Sequence, residues 1–168
     1  METFLYFAYG SNMLSRRLQE RTSSATVIGT GFVEGRRLAF HKVSKDGSGK
    51  CDIELTNVET NRAYGVLFGI ASAEKNALDK AEGLGQGYKE ESVIVRQASG
   101  ATVTATAYIA TAIEPVLRPY DWYKALVVAG AIEHGLPDSY IEWLRTFHSQ
   151  PDPNAKRRAQ NEQLLFRS

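Results

Sequence analysis

The chain has 168 residues, 43% hydrophobic and 23% charged, a balance that fills one globular core and excludes a disordered or membrane-spanning chain. A net charge of +1 gives no basic field for nucleic acid and no acidic field for a basic partner. The single cysteine, Cys51, excludes an intrachain disulfide and leaves a cysteine-based zinc site without ligands. The short N-terminal apolar run carries Glu2 and lacks a basic flank, so a cytoplasmic protein without a secretory leader is expected.

Residues 3–9 read as a strand, apolar almost throughout and therefore buried on both faces. The run stops at Gly10, and Ser11 and Asn12 make a short polar turn. Helical spacing then predicts a helix over 13–20, with Met13, Leu14 and Leu18 inward and Arg16, Arg17, Gln19 and Glu20 mostly solvated. Strand, glycine, small polar residues, helix is an order that brings backbone N–H groups and a helix N-terminus to one point, suited to an anion or a developing oxyanion. It equally describes a plain turn with Ser11 or Asn12 as N-cap. Residues 25–42 are rich in β-branched and aromatic side chains and broken by Gly29, Gly31 and Gly35, the mark of bulges in a curled sheet. A turn over 45–49, a partly alternating strand over 51–58, a turn at Thr60-Asn61 and a strand over 63–70 predict two successive hairpins.

Ser72 is placed to cap a helix running to about Glu82, with Ala77, Leu78 and Ala81 as its apolar face and Glu74 in its first turn. The glycine-rich segment 83–87 ends it. Strands over 88–97 and 101–110 flank a Ser99-Gly100 turn, and a loop with two prolines covers 114–119. A strongly apolar helix is predicted over 120–133, with Gly135 as its left-handed cap. Pro137 opens a last helix whose stripe is Tyr140, Ile141, Leu144 and Phe147. Residues 1–148 thus form a single domain. Residues 149–168 are a polar, mildly basic tail, mobile or docked through Leu164-Leu165-Phe166, and its removal should cost little stability unless that patch docks. Strands early and helices late make the chain α+β, with a mixed, strongly bent or barrel-like sheet and flanking helices.

Segment 83–87 has neither the Gly-Lys-Ser/Thr ending of a phosphate loop nor the strand-loop-helix order of a dinucleotide fold, so it reads as a helix-to-strand link. Glu82 at its lip is unusual. A helix C-terminus is electrostatically poor for a carboxylate, and glycines that permit close approach follow at once. Ser11 lies in Gly-Ser-Asn rather than in a hydrolase elbow. His41, His134 and His148 have no ligand spacing, and Glu90 and Glu91 beside Lys89 read as strand-face charges.

These pieces, in this order, resemble the γ-glutamyl cyclotransferase family. Tyr9-Gly10-Ser11-Asn12 after the first strand is similar to its signature loop. Leu78-Asp79-Lys80-Ala81-Glu82-Gly83, with Gly87-Tyr88 following, is similar to the segment that carries its catalytic glutamate. Tyr123-Lys124 through Gly135-Leu136-Pro137 to Tyr140 is similar to its C-terminal helix pair. The resemblance spans about residues 6–145 and leaves the tail uncovered. It implies a barrel-like mixed sheet with flanking helices, and an intramolecular cyclisation that turns a γ-glutamyl amine or peptide into 5-oxoproline and a free amine. It implies Glu82 as general acid and base, and a substrate site made by Tyr9, Gly10, Ser11, Asn12, Tyr88 and Tyr123. It also implies no metal or organic cofactor, a small-molecule γ-glutamyl ligand, and a monomer or weak homodimer. Two other functions stay open: a non-catalytic binding module for γ-glutamyl or 5-oxoproline-like ligands, and an amidase releasing glutamate.

Overall fold

The computed structural model describes residues 1–166, and positions 167 and 168 of the expected tail lie outside the described residues. Strand β1 (Thr3–Ala8) is paired on both edges. On one it runs antiparallel to the strand Arg62–Ala71, with Tyr6 opposite Phe68; on the other it runs parallel to Thr102–Ala110, with Tyr6 opposite Thr106. The remaining strands, in chain order, are β2 (Thr26–Glu34), β3 (Arg36–Val43), β4 (Gly49–Leu55), β5 (Arg62–Ala71), β6 (Tyr88–Gln97) and β7 (Thr102–Ala110). Strands β1, β5, β2, β6 and β7 close into a barrel in that order, so the mixed, barrel-like sheet expected from the glycine-marked strands is present. Fully buried Phe7, Leu67, Phe68, Val95 and Leu126 belong to one continuous core that joins barrel to helices.

Pairing departs from expectation in one place. Residues 25–42 are two strands rather than one, and β4 does not fold back on β5. Strands β3 and β4 form a separate two-stranded sheet, while β5 inserts between β1 and β2. Alternation identifies which segments are extended but carries no information on which distant segment each will meet.

The helices flank the barrel. A 3-10 helix, Ser11–Met13, is separated by extended Leu14 from α1 (Ser15–Arg21). A 3-10 turn, Ser72–Glu74, precedes α2 (Lys75–Glu82), so Ser72 lies inside the turn and caps nothing. The Glu74 carboxylate instead accepts the N–H groups of Ser23 and Ser24 at 3.0 and 2.8 Å. Helix α3 (Asp121–Glu133) ends with Gly135 left-handed. There the N–H of Leu136 reaches Ala131 and that of Gly135 reaches Ile132, which satisfies two orphan carbonyls. Helix α4 (Asp138–Arg145) starts just after Pro137 and stops before Phe147, whose half-buried ring still packs 5.0 Å from that of Phe40.

The tail folds as well. Asn154 accepts the N–H of Arg157 at 3.0 Å as an N-cap, and α5 (Ala155–Phe166) follows. Its inward stripe is Arg157, Asn161, Leu164 and Leu165, at helical spacing, while Phe166 stays exposed. Leu164 is buried, and Asp152 accepts from both Trp122 Nε1 at 2.9 Å and the guanidinium of Arg157 at 2.6 and 2.7 Å. Among the described residues no helix is long and apolar enough to cross a membrane.

Candidate active site

Helix α2 was expected to turn Ala77, Leu78 and Ala81 inward, but Ala77 and Ala81 are exposed. Its inner stripe is Lys75, Leu78, Asp79 and Glu82, three of them charged, because this helix faces a polar pocket rather than the core. Asp79 accepts from the hydroxyl of Tyr108 and pairs with Lys75 Nζ at 2.6 Å, which pins the helix one turn before its end. Glu82 is the last helical residue, and left-handed Gly83 then turns the chain away. Its carboxylate meets two donors on one oxygen: the Tyr6 hydroxyl at 3.2 Å and Asn12 Nδ2. Asn12 also donates to the Tyr6 oxygen at 3.1 Å, and its own Oδ1 accepts from Arg21 at 3.0 Å. The Arg21 guanidinium lies 3.9 Å from Glu82. These donors and this cation offset the unfavourable helix end.

The loop after β1 faces Glu82. Neither Ser11 nor Asn12 makes a capping bond, so the plain-turn reading does not hold. Asn12 is turned to Glu82, and Ser11 Oγ accepts from Arg17 Nε at 3.0 Å. The backbone N–H groups of Gly10, Ser11 and Asn12 make no hydrogen bond among the described residues. Helix α3 holds this loop from behind. It approaches so closely that a Cβ on Gly130 would lie 2.7 Å from Leu14 N and Met13 Cβ. His134 adds a bond from Nε2 to the Met13 carbonyl at 2.8 Å.

Tyrosines form the walls. The Tyr9 hydroxyl donates to the Tyr108 carbonyl, the Tyr88 hydroxyl to the Cys51 carbonyl at 2.5 Å, and the Tyr123 oxygen accepts the Cys51 N–H at 3.1 Å. The hydroxyl protons of Tyr9 and Tyr88 are therefore committed to backbone, and what these two offer the pocket is ring surface. Burial pushes the phenols of Tyr6, Tyr9, Tyr88 and Tyr123 well above their ordinary value, and the Cys51 thiol up to about 12. All stay neutral near pH 7, leaving Glu82 as the carboxylate among the residues lining the pocket.

The pocket is lined by every residue expected to form the site: Tyr9, Gly10, Ser11, Asn12, Glu82, Tyr88 and Tyr123. Tyr6, Cys51 and Tyr108 complete it. Among the described residues no cluster of three or more His, Cys, Asp and Glu side chains could hold a metal ion. His41 lies outside the pocket lining, 2.6 Å from Asp52, and His148 is exposed.

A model of the AIG2-like family matches residues 62–144. The γ-glutamylcyclotransferase of Homo sapiens is 32% identical over 149 residues, covering 86% of this chain and 78% of the relative. The chain belongs to the γ-glutamyl cyclotransferase family. The Bos taurus γ-glutamylcyclotransferase is also 32% identical, over 150 residues, covering 86% of this chain and 79% of its own. A solved γ-glutamyl cyclotransferase structure superposes with a TM-score of 0.86 at 28% identity, covering 96% of this chain and 99% of the other. The family fold thus extends into the tail, which the sequence resemblance left uncovered.

Tyr6, Tyr108, Arg21 and Cys51 were not read as site residues. Tyr6 could have been found: on β1 it lies in register two residues before Ala8, on a strand that feeds the signature loop. Arg21 lies just past the helix expected over 13–20, and helical spacing does not reveal that the neighbour across α1 is Glu82. Tyr108 and Cys51 arrive from strands whose position follows only from the closed barrel and its attached hairpin.

Proposed function

We propose that this protein converts a γ-glutamyl amine or peptide into 5-oxoproline and a free amine, with Glu82 as general acid and base. The observation that carries this reading is the facing of one carboxylate, Glu82, and three unbonded N–H groups, Gly10 to Asn12, across a pocket walled by tyrosines. The carboxylate suits proton transfer, and the N–H groups suit an oxyanion or the substrate's α-carboxylate.

The substrate enters with an α-ammonium, which cannot attack. Glu82 removes one proton, and the freed amine closes on the γ-carbonyl carbon to form the ring C–N bond. Both groups belong to one molecule, so the pocket need only hold the folded conformer. The oxyanion is stabilised by the loop N–H groups. When the bond to the departing nitrogen breaks, the two protons lost by the ring nitrogen end on the leaving amine by way of Glu82. The ring keeps one N–H as a lactam. Tyr6 and Asn12 keep the carboxylate aimed during both transfers.

Incubation with a panel of γ-glutamyl amino acids and amines should release 5-oxoproline, with no requirement for nucleotide or divalent metal. Glutamate as product would identify an amidase, and binding without turnover a binding module. Glu82→Gln preserves shape but cannot carry a proton. It should lower kcat by about 10² to 10⁴ with little change in KM. A fully active Glu82→Gln enzyme would remove Glu82 from the reaction.

A further inference from the structure

Helix α5 lies behind the signature loop and reaches it through one side chain. Arg17 of α1 donates from Nε to Ser11 Oγ at 3.0 Å and from Nη1 to Asn161 Oδ1 of α5 at 3.0 Å. Among the described residues Arg17 makes no ion pair. Arg21 and Lys50 repel it, Glu82 and Glu20 attract it, and its guanidinium lies 5.9 Å from the centre of the Trp122 ring. Burial pulls its pKa down to about 10, so it is charged near pH 7 at a cost in solvation. A buried guanidinium without a direct ion pair needs acceptors to hold its orientation, and Asn161 supplies one beside Ser11.

The amide of Asn161 is itself fixed. Its Nδ2 donates to the Arg157 carbonyl at 2.8 Å, so Oδ1 must face Arg17. Arg157 is in turn clamped by Asp152, which accepts from Trp122 of α3. The run of contacts ends in the pocket at Ser11. Because Ser11 Oγ accepts from Arg17, its own proton is left without a partner among the described residues, on a side chain that lines the pocket.

We infer that Asn161 is a positioning residue for catalysis: through Arg17 it holds Ser11 so that the serine hydroxyl donates to an anionic oxygen of the substrate, beside the N–H groups of Gly10 to Asn12. The inference rests on the cyclisation proposed above, since it assigns Ser11 to the same anionic group. It makes the C-terminal helix part of the active site without any residue of that helix touching substrate.

The test combines product binding with turnover. Calorimetric titration with 5-oxoproline, which keeps the substrate's carboxylate, should show about tenfold weaker binding to Asn161→Ala, and kcat/KM should fall by a similar factor. Asn161→Asp, which keeps the acceptor, should retain most of both. The deciding readout is a cycle with Ser11→Ala: in that background Asn161→Ala should have no further effect on 5-oxoproline binding. If the alanine variant does not fold, Asn161→Ser can still satisfy the Arg157 carbonyl but is too short for Arg17, and should give the same losses. Wild-type affinity and kcat/KM in the variant, or equal losses with and without Ser11, overturn the inference alone. A parent protein that neither binds nor releases 5-oxoproline overturns the proposed reaction and this inference with it.

Discussion

At the scale of single residues, the site is a carboxylate whose surroundings were built for it. A glutamate at a helix C-terminus meets the negative end of the dipole, and here that is answered by donors from β1 and its loop rather than by a lone salt bridge. Tyr6 is the sharpest case, because its hydroxyl both accepts from Asn12 and donates to Glu82. Tyr6→Phe removes one donor to the carboxylate and leaves ring packing against Tyr108 intact. A hydrogen bond to a charged group is worth about 1.5–3 kcal/mol, so kcat should fall by roughly 10- to 100-fold while the melting temperature changes little. Steady-state kinetics beside a thermal melt checks this, and an unchanged kcat would show that Asn12 alone suffices to aim Glu82. Glu82 itself was legible in the sequence for the reason that makes it costly: a charge held at a poor position, followed by glycines. Tyr6 was hidden inside an apolar run, where a tyrosine reads as core.

At the scale of elements, the helices behave differently from their composition. Helix α2 presents charges inward and alanines outward, and α5, polar until its last turn, docks by one buried leucine and a chain of polar contacts. Both escape a rule that equates inward with apolar, because each borders a polar feature: α2 the pocket, α5 the Arg17 and Asp152 contacts. The low cost expected for removing the tail changes accordingly. Truncation after Ser149 would expose the surface that Leu164 covers and leave Trp122 Nε1 without its acceptor. The leucine and the orphaned donor together are worth about 2–4 kcal/mol. For a chain of this length that lowers the melting temperature by on the order of 10 °C, measurable by calorimetry. A truncated protein melting with the full chain would show that α5 adds no stability to the barrel.

At the scale of the whole molecule, the class, the bent sheet and the pocket-lining loop Gly10 to Asn12 could be read before the structure, because they depend on local patterns: periodicity, glycines in strands, and a short motif in order. The exchange of partners by β4 and β5 could not, since closure pairs segments that nothing local connects. The same holds for the pocket's far wall, where Cys51 and Tyr108 come from the hairpin and the last strand. Gathering so many acidic hydroxyls and a thiol in one buried place has a global effect on stability. In the unfolded chain tyrosine ionises near about pH 10 and cysteine near about 8.5. In the folded protein burial raises Tyr6, Tyr9, Tyr88 and Tyr123 well above that, and Cys51 to about 12. Above about pH 9 the unfolded state therefore binds fewer protons than the folded one, and stability falls as pH rises. This contribution is fully present at neutral pH and is lost through the folded values. Absorbance at 295 nm should show the buried phenols ionising together with loss of far-ultraviolet dichroism. Phenols that titrate near pH 10 in a folded protein would contradict the burial.

The place of β1 in the barrel has a consequence in time. It is made before both of its partners, one of which begins at residue 62 and the other at residue 102. Both closures span long stretches of chain, and such contacts repay their entropy only late. During synthesis the apolar segment from Phe4 to Ala8 leaves the ribosome with both edges open and waits for most of the polypeptide to follow. The loop Gly10 to Asn12 is attached to its end and cannot settle against Glu82 until that wait is over. A nascent chain of this protein thus keeps that strand and its loop open on one edge until β7 has been made, and the pocket, which Tyr108 of β7 helps to line, cannot close before then.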